Sequence, residues 1–325
     1  MLEAILLSLA GLVGLALGGE LLVRGAVGIA QKLGVSTLFT GLVIVGFATS
    51  MPEMVASVQA SLAGSPEIAW GNIVGSNLAN TLLILGISAL VAPIVLVGMG
   101  RRDAVVALGC TLLLWALALA GIGARWVGAV LLALIVVYIV WRYKHPGAAA
   151  LEDGTDDGPQ SGIISTLLFL VGLGILVAGG DALVTGAISL ATIFAVPETV
   201  IGLTVVAVGT SLPELAASIA AALRGKSGLA IGNVVGSNIY NILLIGGATM
   251  TIAPVALPSE LAGIQMALLT GSAVLLLMLL WFAKSIGRAL GAVLFVAFLG
   301  NVVLVFSDTP DPVDEEMGLE RPADT

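Results

Sequence analysis

Apolar stretches long enough to cross the hydrocarbon core of a bilayer recur ten times along this chain, at roughly 3–33, 35–63, 67–93, 103–122, 125–143, 162–192, 196–223, 227–254, 258–283 and 285–306. About 20 residues of helix suffice for one crossing. In lipid a spanning segment must satisfy its own backbone hydrogen bonds, so runs of this kind fold as helices. Several exceed the minimum length and are expected to tilt or break. A water-soluble alternative fails on charge. Only 10% of the 325 residues are charged, and the mean hydropathy is +1.15, whereas an average soluble domain carries about 25% charged residues. The expected fold class is an all-α integral membrane protein with ten transmembrane helices. Its 42 glycines suit close helix contacts, because dispersion rather than water exclusion holds helices together in lipid.

Ten spans sort the loops into two sides. Lys32, Arg101, Arg102, Arg142, Lys144, Arg224, Lys226, Lys284 and Arg288 fall on one side, Arg125 and Arg321 on the other, and Arg24 lies inside the first span. The positive-inside rule puts the basic side in the cytoplasm. A multi-pass plasma-membrane protein with both termini extracellular follows. The start, Met1-Leu2-Glu3-Ala4, has no basic segment before its apolar run, so the first helix is expected to be retained rather than cleaved as a signal. Acids cluster in Glu152–Asp157 and after Asp308, and read as a solvated loop and tail. The net charge of −8 argues against nucleic acid as a partner. Cys110 is the single cysteine, so no intrachain disulfide forms. The single histidine, His145, sits beside Arg142 and Lys144 in a loop and offers no histidine-based metal site.

Shifting the sequence by 161 residues aligns Gly41–Gly86 with Gly202–Gly247 without a gap, and 24 of those 46 positions are identical. Gly18-Gly19-Glu20 falls on Gly179-Gly180-Asp181 at the same shift. Each copy holds five spans, an odd number, so the second must enter the membrane from the opposite side. This predicts an inverted-topology repeat, an architecture whose sites lie near the midplane where the copies meet. The expected organisation is a first five-helix repeat at 1–143, an acidic cytoplasmic linker at 144–161, a second inverted repeat at 162–306 and an acidic extracellular tail at 307–325.

The densest polar matches lie inside the second and seventh spans. The first copy reads Gly-Phe-Ala-Thr-Ser-Met-Pro-Glu, ending at Glu53, and the second reads Val-Gly-Thr-Ser-Leu-Pro-Glu, ending at Glu214. Proline in a span removes a backbone donor and clashes with the preceding turn. Carbonyls freed there can point at an ion. A carboxylate at the bilayer centre costs roughly 2.5–3.5 kcal/mol on insertion scales. No basic residue occurs in these spans to offset it, so a bound cation or a proton is the expected partner. A pair of protonated, hydrogen-bonded structural glutamates is the alternative. Spans three and eight carry Gly71-Asn72-Ile-Val-Gly75-Ser76-Asn77-Leu-Ala-Asn80 and Gly232-Asn233-Val-Val-Gly236-Ser237-Asn238-Ile-Tyr-Asn241. Ser76 and Asn80 share a helix face, as do Ser237 and Asn241. Packing accounts for the glycines and serines but poorly for three asparagines per copy.

The candidate ligands are all oxygen: Glu53 and Glu214, Thr49, Ser50, Thr210 and Ser211 at the breaks, Ser76, Ser237, and the amide oxygens of Asn80 and Asn241. Such sets suit hard cations. Ca2+ takes about 6–8 oxygens in flexible geometry, while soft metals prefer Cys or His.

These paired strings resemble the two alpha-repeats of the sodium/calcium exchanger branch of the cation/Ca2+ antiporter superfamily, over nearly the whole chain. The resemblance implies Na+/Ca2+ exchange by alternating access, with no enzymatic activity and no cofactor. It implies Glu53 and Glu214 as central Ca2+ ligands shared with Na+. Thr49 and Thr210 would give mainly backbone carbonyls, and Ser50, Ser211, Ser76 and Ser237 would line flanking Na+ sites. Gly46 and Ala207 would offer carbonyls at unwound turns, and Asn80 and Asn241 would form the site's waist. The first and sixth spans would slide as a bundle over a rigid core. Asparagine at both 80 and 241, where some relatives have an acid, favours independence from potassium.

With both glutamates ionised the empty site carries two negative charges, costly to move through a low-dielectric barrier. Ca2+ or two Na+ would neutralise them, so only the loaded site would switch sides, and protons would compete at low pH. A proton/Ca2+ antiporter shares the same architecture and glutamates. A channel would conduct without a counter-ion. An intramembrane hydrolase lacks a His-Glu-x-x-His pattern, paired aspartates or a Ser-His partner. Glu20 and Arg24, four residues apart in the first helix, are expected to pair.

Overall fold

The computed structural model describes residues 1–96, 98–145, 161–194, 207–254 and 256–308. The linker residues 146–160, the start of the seventh span at 196–206 and the tail at 309–325 lie outside them. The described chain is helical apart from one two-stranded antiparallel ladder, β1 (Ile94–Val95) with β2 (Ser285–Ile286). Seven helices are long and apolar enough to cross a bilayer. An eighth span is a bent pair, α2 (Thr37–Thr49) and α3 (Met51–Leu62), which meet at 42°. Leu212–Leu223 is a shorter apolar helix, and the last helix is apolar over Arg288–Leu304. Their positions correspond to the seventh and tenth stretches of the sequence reading.

The longest helices are α1 (Leu2–Leu33) and α8 (Gly162–Ile193), each of 32 residues. At 1.5 Å per residue each is about 48 Å long, more than the hydrocarbon thickness, so tilt is required. The two pack antiparallel along their length through glycines seven residues apart. A Cβ on Gly11 would lie 2.5 Å from the Leu183 nitrogen, one on Gly18 2.6 Å from the Leu176 nitrogen, and one on Gly25 would collide with the Phe169 backbone. In return Gly172, Gly179 and Gly186 abut the backbones of Leu22, Leu15 and Ser8. The two glycine triplets are related by the same 161-residue shift, and each triplet's contacts are the mirror of the other's. Away from this seam α1 and α8 expose Leu6, Leu9, Leu12, Leu17, Leu167 and Leu170, the composition of a lipid-facing surface.

The centre of the molecule holds two broken helices. The first runs through α4 (Pro66–Leu78), a π-helical segment Ala79–Ile84 and α5 (Leu85–Val91). The second runs through α11 (Ser227–Tyr240), a π-helical segment Asn241–Ile245 and α12 (Gly246–Ile252). In their most apolar windows 83% and 94% of residues are buried, against 28% in α1 and α8. These are therefore the helices that the rest of the fold encloses. Gly41 of α2 and Gly232 of α11 let those helices touch backbone to backbone. Gly64 (φ 80°) and Gly225 (φ 67°) turn the chain from α3 into α4, and from α10 (Leu212–Leu223) into α11, through the left-handed region, where residues with a Cβ are disfavoured. The one-turn α9 (Ala207–Gly209) precedes α10.

On the periphery α6 (Arg101–Leu119), α7 (Arg125–Lys144), the short α13 (Ser259–Ala262), α14 (Ile264–Phe282) and α15 (Arg288–Asp308) complete the shell. Gly128 of α7 packs on Gly247 of α12, and Gly291 of α15 on Gly86 of α5. Arg142 was expected at the end of the fifth span, with no partner named for it. It lies in the last turn of α7, buried, with its Nε donating to Asp103 Oδ1 at 2.9 Å. Tyr138 donates to the same oxygen, also at 2.9 Å. The last turn of α7 lies over α6, and charge burial is tolerated because Asp103 is paired and hydrogen-bonded.

The glycine seam gives a direct test. Gly18→Val drives a side chain into the α8 backbone and should destabilise by about 1–3 kcal/mol. Gly174→Val, at an α8 position with nothing within 4 Å, should be nearly neutral. Thermal unfolding of the purified variants in detergent checks both.

Candidate ion-binding site

Pro52 and Pro213 create the site. Neither carries a backbone N–H, so the helix ladder is interrupted one turn upstream. Ser50 (φ −80°, ψ 2°) and Ser211 (φ −92°, ψ 6°) sit at the two breaks, in the sparsely populated bridge region. A new helix starts after each, with Glu53 in the first turn of α3 and Glu214 in the first turn of α10. The first N–H groups of a helix and its dipole favour negative charge there. The break thus delivers a carboxylate to the centre of an apolar protein and supplies part of its stabilisation.

Both glutamates are 2% exposed, and their carboxylates are close enough to interact with each other. Ser211 Oγ donates to Glu53 Oε1 at 3.4 Å, a contact between the two copies. Thr49 and Ser50 stand next to the Glu214 carboxylate without hydrogen-bond geometry. Glu53 Oε2 and both carboxylate oxygens of Glu214 are buried and accept no hydrogen bond. The same holds for Ser50 Oγ, Thr210 Oγ1, Ser237 Oγ, and the amide oxygens of Asn80 and Asn241. A buried polar atom left unpaired costs roughly 1–3 kcal/mol. So many in one region mark a place suited to a ligand that accepts electron pairs. Among the described residues no three His, Cys, Asp or Glu side chains cluster, so any cation held here meets two acids and neutral oxygens.

Asn72 and Asn233 brace the two breaks in the same way. Asn72 Nδ2 donates to the Glu53 carbonyl at 3.3 Å and to Ser57 Oγ at 2.9 Å. Asn233 Nδ2 donates to the Glu214 carbonyl at 3.1 Å and to Ser218 Oγ at 2.9 Å. Asn233 Oδ1 also accepts from Thr49 Oγ1 at 3.3 Å, so this brace spans both copies. Neither asparagine was a candidate ligand, and neither serine was singled out. The signal was present, because all four obey the 161-residue shift.

The remaining candidates are distributed as follows. Ser76 is buried, and its hydroxyl donates to Asn72 Oδ1 at 3.5 Å. Ser237 lies beside Gly46, where a Cβ would be 3.3 Å from the Ser237 nitrogen. The Gly46 carbonyl accepts from the Ser50 N–H at 3.1 Å, leaving one lone pair. Asn80 and Asn241 fall within the two π-helical segments, the irregular turns that often occur at functional sites. Thr210 is half-buried. Ala207 opens the one-turn α9. Glu20 and Arg24 do pair, at 2.8 Å, and Glu20 also bonds Arg224 just beyond α10. That second partner was not legible in the sequence, because 204 residues separate it from Glu20.

Comparison with known proteins decides the family. The family described as "Sodium/calcium exchanger protein" matches residues 3–144 and again residues 164–307. The chain belongs to the sodium/calcium exchanger family. It is a multi-pass membrane protein of an ion-transporting antiporter family, and each matched segment takes in one copy of the repeat. The chain is 36% identical to the putative antiporter CaxA of Alkalimonas amylolytica, over 94% of this chain and 100% of the relative. It is 30% identical to the sodium/calcium exchanger MaX1 of Methanosarcina acetivorans, over 93% of this chain and 98% of that protein. Among solved structures, the sodium-calcium exchanger NCX_Mj soaked with Na+ and Sr2+ superposes with a TM-score of 0.81 at 29% identity, covering 95% of this chain and 99% of that one.

The asparagine braces predict unequal costs in this exchanger-family site. Asn233→Ala removes the donor to the Glu214 carbonyl and to Ser218 Oγ and one of the two acceptors of Thr49 Oγ1, which keeps the Val45 carbonyl. It should cost roughly 1–3 kcal/mol, the penalty for a buried group left unsatisfied. Ser218→Ala, which removes one contact, should cost less. Denaturation midpoints in detergent, compared with the wild-type protein, check the order.

Proposed function

We propose that this chain is a secondary active antiporter that exchanges Na+ for Ca2+ by alternating access, with Glu53 and Glu214 as the central ligands. The observation that carries the reading is the pair of buried carboxylates, related by the repeat, three of whose four oxygens lack hydrogen-bond donors and whose helices contain no basic residue. Two carboxylates in lipid-enclosed protein need positive charge, and oxygen-only surroundings suit Na+ and Ca2+. Thr49, Thr210, Ser50, Ser211, Ser76, Ser237, Asn80, Asn241, Gly46 and Ala207 complete the proposed ligand set. Some supply side-chain oxygens and others supply carbonyls.

The architecture proposed for this cycle is ten helices in two inverted repeats, 1–143 and 162–306. The linker at 144–161 would lie in the cytoplasm, and both termini and the tail at 307–325 outside the plasma membrane. The reciprocal glycine contacts between α1 and α8 support an inverted relation. Two copies packed antiparallel with matching contacts are related by an axis in the membrane plane. The empty, doubly charged site resists crossing the low-dielectric barrier, whereas Ca2+ or two Na+ neutralise it. Exchange is then obligatory. Protons are competitors rather than the driving ion, and no cofactor takes part.

Ca2+ uptake into proteoliposomes should require an outward Na+ gradient at fixed pH. Uptake driven by a pH gradient without Na+ would select the proton/Ca2+ reading instead, and uptake without any counter-ion would select a channel. Glu53→Gln and Glu214→Gln should each abolish Na+-driven Ca2+ uptake, and wild-type uptake in either would refute the ligand assignment. Acidification on both sides of the vesicle should lower the initial rate, because protons neutralise the same two carboxylates. Raising Ca2+ should restore that rate if protons and Ca2+ compete for one site.

A further inference from the structure

We propose that Asn238 is a positioning residue that sets the amide of Asn80, so that its oxygen rather than its nitrogen faces the ion. The inference rests on the placement of Asn80 among the ligands. An asparagine side chain carries a carbonyl on one branch and an NH2 on the other, with nearly the same shape. A cation is attracted by the first and repelled by the second. A buried asparagine therefore ligates in only one of its two orientations, and something must choose between them.

The structure shows which orientation is adopted and which group holds it. Asn80 Nδ2 donates to Asn238 Oδ1 at 3.0 Å. Asn238 Nδ2 in turn donates to Thr81 Oγ1 at 3.0 Å. All three side chains are buried. The chain of bonds has a direction, from the amide of Asn80 through Asn238 to the threonine hydroxyl. It leaves Asn80 Oδ1 buried and without a donor. Reversing Asn80 alone would set its carbonyl against the carbonyl of Asn238 and aim its NH2 at the site. That arrangement loses a hydrogen bond in a low-dielectric interior, where such losses are largest.

The repeat supplies an internal contrast. Asn77 occupies the position equivalent to Asn238, yet it turns away and donates to the Ile73 carbonyl of its own helix at 2.7 Å. The position equivalent to Thr81 is Ile242, which has no hydroxyl to anchor such a chain. Asn241 therefore receives no brace of this kind from Asn77. The two waist asparagines look alike in sequence, but only Asn80 is held in its ligating orientation from across the repeat. Asn238 touches no ion in this scheme. It acts through Asn80.

Equilibrium binding of radioactive Ca2+ to the purified full-length protein in detergent tests this, with folding checked by size-exclusion and melting profiles. Asn238→Leu should weaken Ca2+ binding by about tenfold, the lower end of what loss of a ligand-orienting partner costs. Asn238→Asp, which keeps the acceptor for Asn80 Nδ2, should stay near wild type. The decisive comparison uses an Asn80→Asp background, where both branches are oxygen and orientation no longer matters. There Asn238→Leu should add little. Equal weakening in both backgrounds, or tight binding by Asn238→Leu in the wild-type background, overturns the proposal. If Asn80→Asp itself abolishes binding, the contrast between Asn238→Leu and Asn238→Asp decides alone. If Asn238→Leu does not fold, Thr81→Val decides. It removes the far anchor and should weaken binding, and unchanged binding overturns the proposal. Failure of the unmodified protein to bind Ca2+ would refute the exchanger reading instead.

Discussion

Two carboxylates buried side by side, in helices without a basic residue, are the constraint on which the other features of this molecule depend. A buried charge without a partner is among the most unfavourable arrangements a protein can contain. The chain meets that cost locally and in duplicate. Proline breaks each helix just before the glutamate, the following turn offers unpaired N–H groups, and an asparagine from the next helix ties down the glutamate's carbonyl. None of this neutralises the charge. It fixes the carboxylates in place and leaves three of their four oxygens unpaired, a combination that suits a cation able to come and go.

Rigidity at the site contrasts with the smoothness of the α1–α8 seam. The central helices contact α2 and α10 through side-chain hydrogen bonds as well as glycine, and two of those bonds, Thr49 to Asn233 and Tyr240 to the Val43 carbonyl, cross between the repeats. Between α1 and α8 the contact is mostly backbone against backbone, with little to interlock. The Glu20 ion pair with Arg224 is the polar tie between α1 and the end of a site-bearing helix. It is partly exposed, and ion pairs of that kind contribute little net stability.

Much of this was legible in the sequence because the repeat doubles every signal. The helix boundaries read from hydropathy lie within a few residues of the observed ones wherever the chain is described, apart from the start of the ninth stretch, which divides into α13 and α14. The Thr-Ser-x-Pro-Glu strings located both breaks, since proline leaves no other option inside a span. The family followed from the same strings. What escaped notice were Asn72 and Asn233 as braces, Arg142 as a buried ion partner and Arg224 as a second partner for Glu20. Each depends on a neighbour that is distant in sequence. The glycine triplets were legible in principle. Their common shift is visible in the sequence, but only a packed structure shows that each meets a backbone.

The sequence alone determined that this chain lives in lipid, that it is built twice, and that each half carries one acid at a proline break. Those conclusions follow from chain-local physics: backbone satisfaction in a bilayer, the missing N–H of proline, and the spacing of identical residues. The tertiary structure decided that the two acids meet, that three of their four oxygens are left without donors, and which asparagines hold and which are held. It also broke the symmetry of the repeat. Asn77 and Asn238 are the same residue in the same motif, yet one bonds to its own helix and the other reaches across to Asn80. A side-chain amide takes its orientation from whatever acceptor lies within about 3 Å of it, and only packing decides what that is.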